Sequence, residues 1–215
     1  MEQTDIWSIN PSTSDTFFKT AATVTGGVYP QALVLTNTNP VVAKEGAGYK
    51  VIITSGGDDR TANFTINGAI VGQLTEQGQV PNPNNPEVLA GGNAGAVTSA
   101  YFYSRVDSIV ISAAAAGDGV SVGTTGDLAL PRCRIKGFYV LGDAGAGSLK
   151  INRFSYTTSA YPTVAVESLL DITTPAGATL TQFLSLPGQG ILTGQQHNDF
   201  AVVTLDGADY SLFCG

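Results

Sequence analysis

His197 is the only imidazole in the chain, and Cys133 and Cys214 are the only thiols. Few residues could therefore act as nucleophile, base or soft metal ligand. A hydrolytic triad would need His197 beside a serine and a carboxylate, with the serine raised on a turn between strand and helix. His197 instead sits in the polar segment GQQHND, where an exposed turn histidine is the expectation. One histidine and two distant cysteines lack the paired spacing of a zinc site. Hard cations have Asp58, Asp59, Asp127, Asp206 and Asp209 to consider. These do not form a loop with ligands at regular steps, and Asp-Gly and Gly-Asp pairs are ordinary turn chemistry. GDAGAGSLK, from Gly142 to Lys150, has the glycines of a phosphate loop. Its lysine comes two places late, and LKINRFSY reads as strand, so no helix N-terminus would hold the phosphate. These residues imply no catalytic group, no cofactor and no metal.

The remaining candidates for binding are cationic and aromatic. Half of the ten basic residues lie between Arg132 and Arg153, whereas Phe154 to Gly215 carries five acids and no Lys or Arg. In PRCRIKGFYVL, Arg132, Arg134 and Lys136 alternate with Cys133, Ile135 and Gly137. Period-two alternation places the three cations on one face of a strand, a face that Phe138 would share. With Lys150 and Arg153 they could hold the acidic half of a neighbouring subunit or another acidic surface. A solvated strand face is the plainer alternative. Trp7, Phe17 and Phe18 stand on an N-terminal arm, residues 1–30, and large apolar groups on an arm need a cover. The cover is either the arm's own domain or a neighbour, and interaction is assigned here to Trp7, Phe17, Phe18, Arg132, Arg134, Lys136, Lys150 and Arg153.

Composition bounds the scaffold that must position them. The chain has 215 residues, 43% hydrophobic and 13% charged, with 26 Gly and 10 Pro. The charged share is about half the usual one, so the surface should be neutral and hydroxyl-rich. The formal charge of −7 argues against nucleic acid as a partner. MEQTDIWSIN has no basic region followed by an apolar run, so no secretion signal is expected. No apolar stretch is long enough for a membrane helix. The cysteines suit buried free thiols, with a disulfide between them left open.

Strand signals recur along the whole chain. ALVLT, YKVIIT, ANFTI and AIVGQLTE alternate or run apolar between turn residues, and Asn67-Gly68 is a strong hairpin signal. GQVPNPNNPE is a loop. Val97–Tyr103, Asp107–Ser112 and Val120–Val122 complete a first half, ended by GTTGD. Arg132–Leu141 and Ser148–Tyr156 read as a hairpin, and strands near 163–173, 179–186, 200–205 and 211–214 follow. The chain is all-β on this pattern, with two β-sandwich-like (jelly-roll or Ig-like) domains, residues 31–127 and 128–215, behind the arm.

Two longer patterns resemble a known group. KVIITSGGDDRTANFTINGAIVGQLTE, continued by EVLAGGNAGAVTSAYFYSRVDSIVISAAAAGDGVSVGTTG, resembles a β domain of small structural proteins of tailed bacteriophages. SLLDITTPAGATLTQFLSLPGQGILTG, with the ending VVTLDGADYSLFCG, resembles a second phage module. Together they cover about residues 28 to 215. The resemblance implies a non-enzymatic virion protein made in the host cytoplasm. A capsid decoration (cement) protein is the first expectation, bound to the major capsid protein or other virion proteins and homo-oligomeric, with a trimer favoured. A tail, neck or fibre-base component is the alternative. A glycan-binding module would need Tyr101, Phe102, Tyr103, Tyr156 and Tyr161 exposed in a groove, whereas TSAYFYSRV looks like a strand covered on both faces. No nucleic-acid or membrane partner is expected.

Overall fold

A computed structural model describes residues 5–9, 14–22, 24, 28–38, 46–72, 86–115, 119–141, 146–155, 162, 164–174, 182–186, 188, 190–194, 199–206 and 209–214. Among the described residues the protein is all-β, and its sheets are antiparallel. The strands are β1 (Asp5–Ile9), β2 (Ser14–Ala22), β3 (Gln31–Ala32), β4 (Gly48–Asp58), β5 (Asn63–Ile70), β6 (Glu87–Ala90), β7 (Asn93–Ile111) and β8 (Val120–Leu130). They continue with β9 (Arg134–Leu141), β10 (Gly147–Phe154), β11 (Glu167–Thr174), β12 (Gln182–Ser185), β13 (Ile191–Leu192), β14 (Phe200–Asp206) and β15 (Asp209–Cys214). The larger sheet runs β11-β10-β14-β8-β4-β7-β5-β6, with β2 added to β8 and β3 to β7. The smaller sheet runs β1-β15-β9-β12, with β13 also on β9. The closing strand β15 is thus pinned between β1 and β9.

β-Branched and aromatic residues at period two explain these strands. Val51 and Ile53 of β4 and Phe64 and Ile66 of β5 are almost wholly buried, with more open residues between them. β7 is a corner strand. Its first part pairs with β4, from Asn93 opposite Asp58 to Tyr103 opposite Tyr49, and its second part pairs with β5 from Tyr103 to Ile111. At the corner the β4–β7 register shifts between Lys50 and Ile52. The Val51 N–H then donates to Ser99 Oγ (2.8 Å), and that hydroxyl donates to Tyr101 O (2.8 Å). The serine takes over where the ladder fails.

Two apolar clusters result. The first gathers Phe18, Val51, Ile53, Phe64, Ile66, Tyr103, Val106, Ile109, Ile111, Val120, Val122 and Phe200. The second gathers Ala47, Leu128, Leu130, Ile135, Phe138, Leu149, Ile151, Ala201, Val203 and Leu212. Among the described residues four strands serve both: β8 sends Ala129 to the first and Leu128 and Leu130 to the second, β14 divides Phe200 and Val202 from Ala201 and Val203, β4 places Val51 in the first and packs Tyr49 on the second, and β10 places Leu149 and Ile151 in the second and packs Phe154 on the first. The expected boundary at 127/128 falls inside β8, and the larger sheet contains strands from both sides of it.

Several local expectations are corrected. Asn67-Gly68 is not a turn but lies within β5, at a register shift against β7. A Cβ on Gly68 would stand 2.1 Å from Arg105 O, so glycine there serves a close strand approach. GGDD enters β4, GTTGD is internal to β8, and the two strands expected over 97–112 are one. β9 and β10 are no hairpin, since they belong to different sheets. The N-terminal segment is not an extended arm over its described length. β1 pairs with β15, and β2 pairs with β8.

Candidate functional site

β9 carries the cationic alternation in the expected phase at its start. Cys133 and Ile135 are 9% and 0% exposed, Arg132 is exposed, and Arg134 and Lys136 are half-buried. Arg132 precedes the strand, which begins at Arg134. Thr193 sets this phase. Its hydroxyl accepts the Cys133 N–H (2.7 Å) and faces Pro131 O and Cys133 O at 3.1 and 3.0 Å, while its own N–H donates to Cys133 O (2.9 Å).

Phe138 does not share the cationic face. The β15 register slips by one residue between Phe213–Gly137 and Cys214–Ile135. Such a bulge reverses which parity points inward. Phe138 is therefore 2% exposed, opposite buried Leu212, in the second core.

Lys150 and Arg153 stand on β10, in the other sheet from the β9 cations. Cross-strand register gives each an acid. Lys150 lies opposite Asp171 (Nζ to Oδ2, 3.7 Å), and Arg153 lies opposite Glu167 (Nη2 to Oε2, 2.7 Å). Arg153 also reaches Asp199, whose side chain is 1% exposed, with Nη1 3.4 Å from Oδ2. The five-cation patch of the sequence thus divides into Arg132 with the β9 residues Arg134 and Lys136, and Lys150 and Arg153 on β10, each facing an acid of β11.

Of the aromatic residues assigned to contacts, Phe18 is 0% exposed in the first core, and Phe17 packs on the same core edge-to-face with it (5.1 Å). Phe18 is consequently covered by its own chain. Trp7 lies on β1 opposite Leu212, and its side chain is outside the described residues. Tyr101, Phe102 and Tyr103 are 8%, 5% and 0% exposed, as their covered-strand pattern implies. Tyr156, Tyr161, His197 and residues 142–145 lie outside the described residues.

Two buried ionisable groups escaped sequence reasoning. Lys19 is 7% exposed, and its Nζ donates to Val120 O (2.6 Å) and Thr20 O (3.1 Å), with Ala22 O at 3.4 Å. Burial lowers its ammonium below the ordinary lysine range. Glu87 is 7% exposed; Oε1 accepts the Ala100 N–H (2.6 Å), and Oε2 accepts the Tyr103 hydroxyl (2.9 Å). Burial raises its carboxyl, against those bonds and the nearby Lys50 charge. Lys50 Nζ itself lies 5.2 Å from the centre of the Phe102 ring. The only sequence signal was a charge inside an otherwise apolar strand, FFK or EVLA, which by itself marks no partner.

The weighed acids behave as local structure. Arg60 donates to both Asp58 oxygens (2.8 and 2.6 Å), which lowers that carboxyl to about 2. Asp59 is buried where its N–H bonds Gly92 O and its carbonyl accepts the Ala62 N–H. Among the described residues, no three His, Cys, Asp or Glu side chains are placed to share a metal ion. Cys133 is a buried thiol, with the Thr193 hydroxyl 3.7 Å from its Sγ. The spacing Gly-x-Ser-x-Gly does occur at 119–123, in GVSVG, but Ser121 is a buried residue of β8 and stands on no elbow. Compared with family models, with curated proteins and with solved structures, the chain matches none.

Proposed function

We propose that this chain is a non-catalytic structural protein of a bacteriophage virion, with capsid decoration as its role. One observation carries the structural part: the buried Lys19 and Glu87 and the mostly covered Arg153 brace strands. Lys19 holds β2 to a β8 carbonyl, Glu87 holds β6 to β7, and Arg153 joins β10 to Glu167 of β11 and to Asp199. None of these groups converges with another on an open reactive centre among the described residues. The virion part is supported by the sequence patterns over residues 28 to 215 and by the sparse charge. Arg132 and the β9 cations Arg134 and Lys136 are the surface assigned to an acidic face of the major capsid protein or of another virion protein, and the proposed assembly on the particle is a homotrimer.

Quantitative mass spectrometry of purified virions tests this. A copy number comparable to the shell protein is the expected result. A small, ring-sized number would transfer the chain to the neck or tail, and absence from particles would overturn the virion role. Charge reversal at Arg132, Arg134 and Lys136 should weaken particle association most at low salt. Unchanged association would return those cations to the solvent.

A further inference from the structure

Residues 28 to 35, VYPQALVL, meet β7 at Gln31 to Leu33 and present two different rows. Tyr29 and Leu35 pack on the first core, and Leu33 is 7% exposed. The alternate residues turn outward: Val28 is 90% exposed, Val34 is 82% exposed, and Pro30 and Ala32 are also exposed. An edge segment with one wet face ordinarily alternates apolar with polar residues, whereas apolar residues on both faces mark a strand covered twice.

The outward row continues across the sheet. Ala32 lies opposite Val110, Val110 opposite Thr65, and Thr65 opposite Val88, which is 58% exposed. One step along the strands, Ser108 lies opposite Asn67, whose Nδ2 donates to Ser108 Oγ (3.1 Å). One step the other way, Ser112 and Asn63 exchange hydrogen bonds, and Asn63 pairs with Ala90. No charged residue occupies these positions. Glu87 turns inward, and Arg105 and Asp107 pair with each other (2.6 Å) beside the register shift of β7.

We infer that this outer face of β3-β7-β5-β6 is a self-association surface, whose occupant is the same face of a second copy of the chain. The face contains apolar groups, hydroxyls and carboxamides. Hydroxyls and carboxamides both donate and accept, so any of them can pair with another across a two-fold axis, whereas a charged group would need an opposite charge, which none of these positions supplies. A charged partner would find no counter-charge here. Each copy carries a formal charge of −7, so copies approach with least repulsion through a surface that has none. Two such faces would stack as layers of a sandwich.

Area sets the strength. Four strands about 4.8 Å apart, with three outward positions per strand at about 6.8 Å spacing, make a face of roughly 400 Å². A stable pair buries about 800 Å² per partner. The contact is therefore a weak dimer alone, and it gains when other contacts hold copies together. This deepens the structural role proposed above, and it is tested on the isolated chain, so its failure leaves particle occupancy untouched.

Sedimentation equilibrium of the full chain should show a reversible dimer at high concentration, little affected by salt. The triple variant Val34→Lys, Thr65→Lys, Val88→Lys should raise the dissociation constant by about tenfold or more, since it buries unpaired ammonium groups. Its far-UV circular dichroism and melting point report whether it folds. Should it unfold, Val34→Lys alone, at an 82% exposed site, carries the same expectation. Asp171→Lys, on the opposite edge of the sheet, should leave association unchanged. A wild-type monomer up to about millimolar concentration overturns the inference, as do dimerisation unaltered in the folded lysine variant and dimerisation abolished by salt.

Discussion

The two cores solve one problem differently. The first is rich in aromatics, with Phe18, Phe64, Tyr103 and Phe200 almost wholly buried, and Phe200 stacked on Phe154 at 5.4 Å. Among the described residues the second is mainly aliphatic around one buried ring, Phe138. Around the first, the ladder is interrupted: β2 meets β8 with repeated register shifts, and β4 slips against both β7 and β8. Charged and hydroxyl groups enter there, with Lys19 on the Val120 carbonyl, Glu87 on the Ala100 N–H and Ser99 on the Val51 N–H. Around the second, single-residue bulges suffice, and the Lys150–Asp171 and Arg153–Glu167 pairs join β10 to β11, with Asp199 buried beside Arg153. Lys19, Glu87 and Ser99 thus stand at broken ladders, because an unpaired backbone group away from water costs as much as a lost hydrogen bond.

The comparison breaks if the cores unfold separately. Because β4, β8 and β14 contribute to both, Phe18→Ala and Leu149→Ala should each lower one shared thermal transition. The expected losses are about 3–5 kcal/mol for Phe18→Ala and about 2–5 kcal/mol for Leu149→Ala. Two resolved transitions in calorimetry, one moved by each variant, would make the cores independent units.

The ion pairs of β10 differ in burial. Arg153→Met should cost about 3 kcal/mol, because it leaves Asp199 buried without this cation. Lys150→Ala removes a pair whose side chains are about half exposed (49% and 55%), so under about 0.5 kcal/mol should be lost, less in high salt. Denaturant titrations of the two variants would separate them; equal losses would remove the distinction between buried and exposed pairs.

The smallest effect concerns pH at Glu87. Burial raises its folded-state carboxyl above the ordinary value of 4.5, so the folded protein holds that proton more tightly than the unfolded chain. Its contribution is complete below the unfolded value and is lost as pH rises through the folded one. The melting temperature of wild type minus that of Glu87→Gln should therefore fall as pH rises from the acid side. A difference independent of pH would place the titration elsewhere.

The sequence by itself determined the strand class, the inward parity of Cys133 and Ile135, and the burial of the Tyr101–Tyr103 run, because each depends on period-two alternation within a few residues. Turns were less legible. Asn67-Gly68 and GTTGD have turn chemistry, yet both lie in strands, because glycine also admits a neighbouring backbone or a bulge. Phe138 illustrates the same limit, since its direction depends on a slip against β15, a strand some seventy residues away. Only the tertiary structure decided that Phe18 closes the first core and that Lys150 and Arg153 meet acids on β11. Only tertiary pairing, too, aligned Ala32, Val110, Thr65 and Val88 into one uncharged row. Each outcome is a long-range pairing, and cross-strand register is a relation between segments that no single segment encodes.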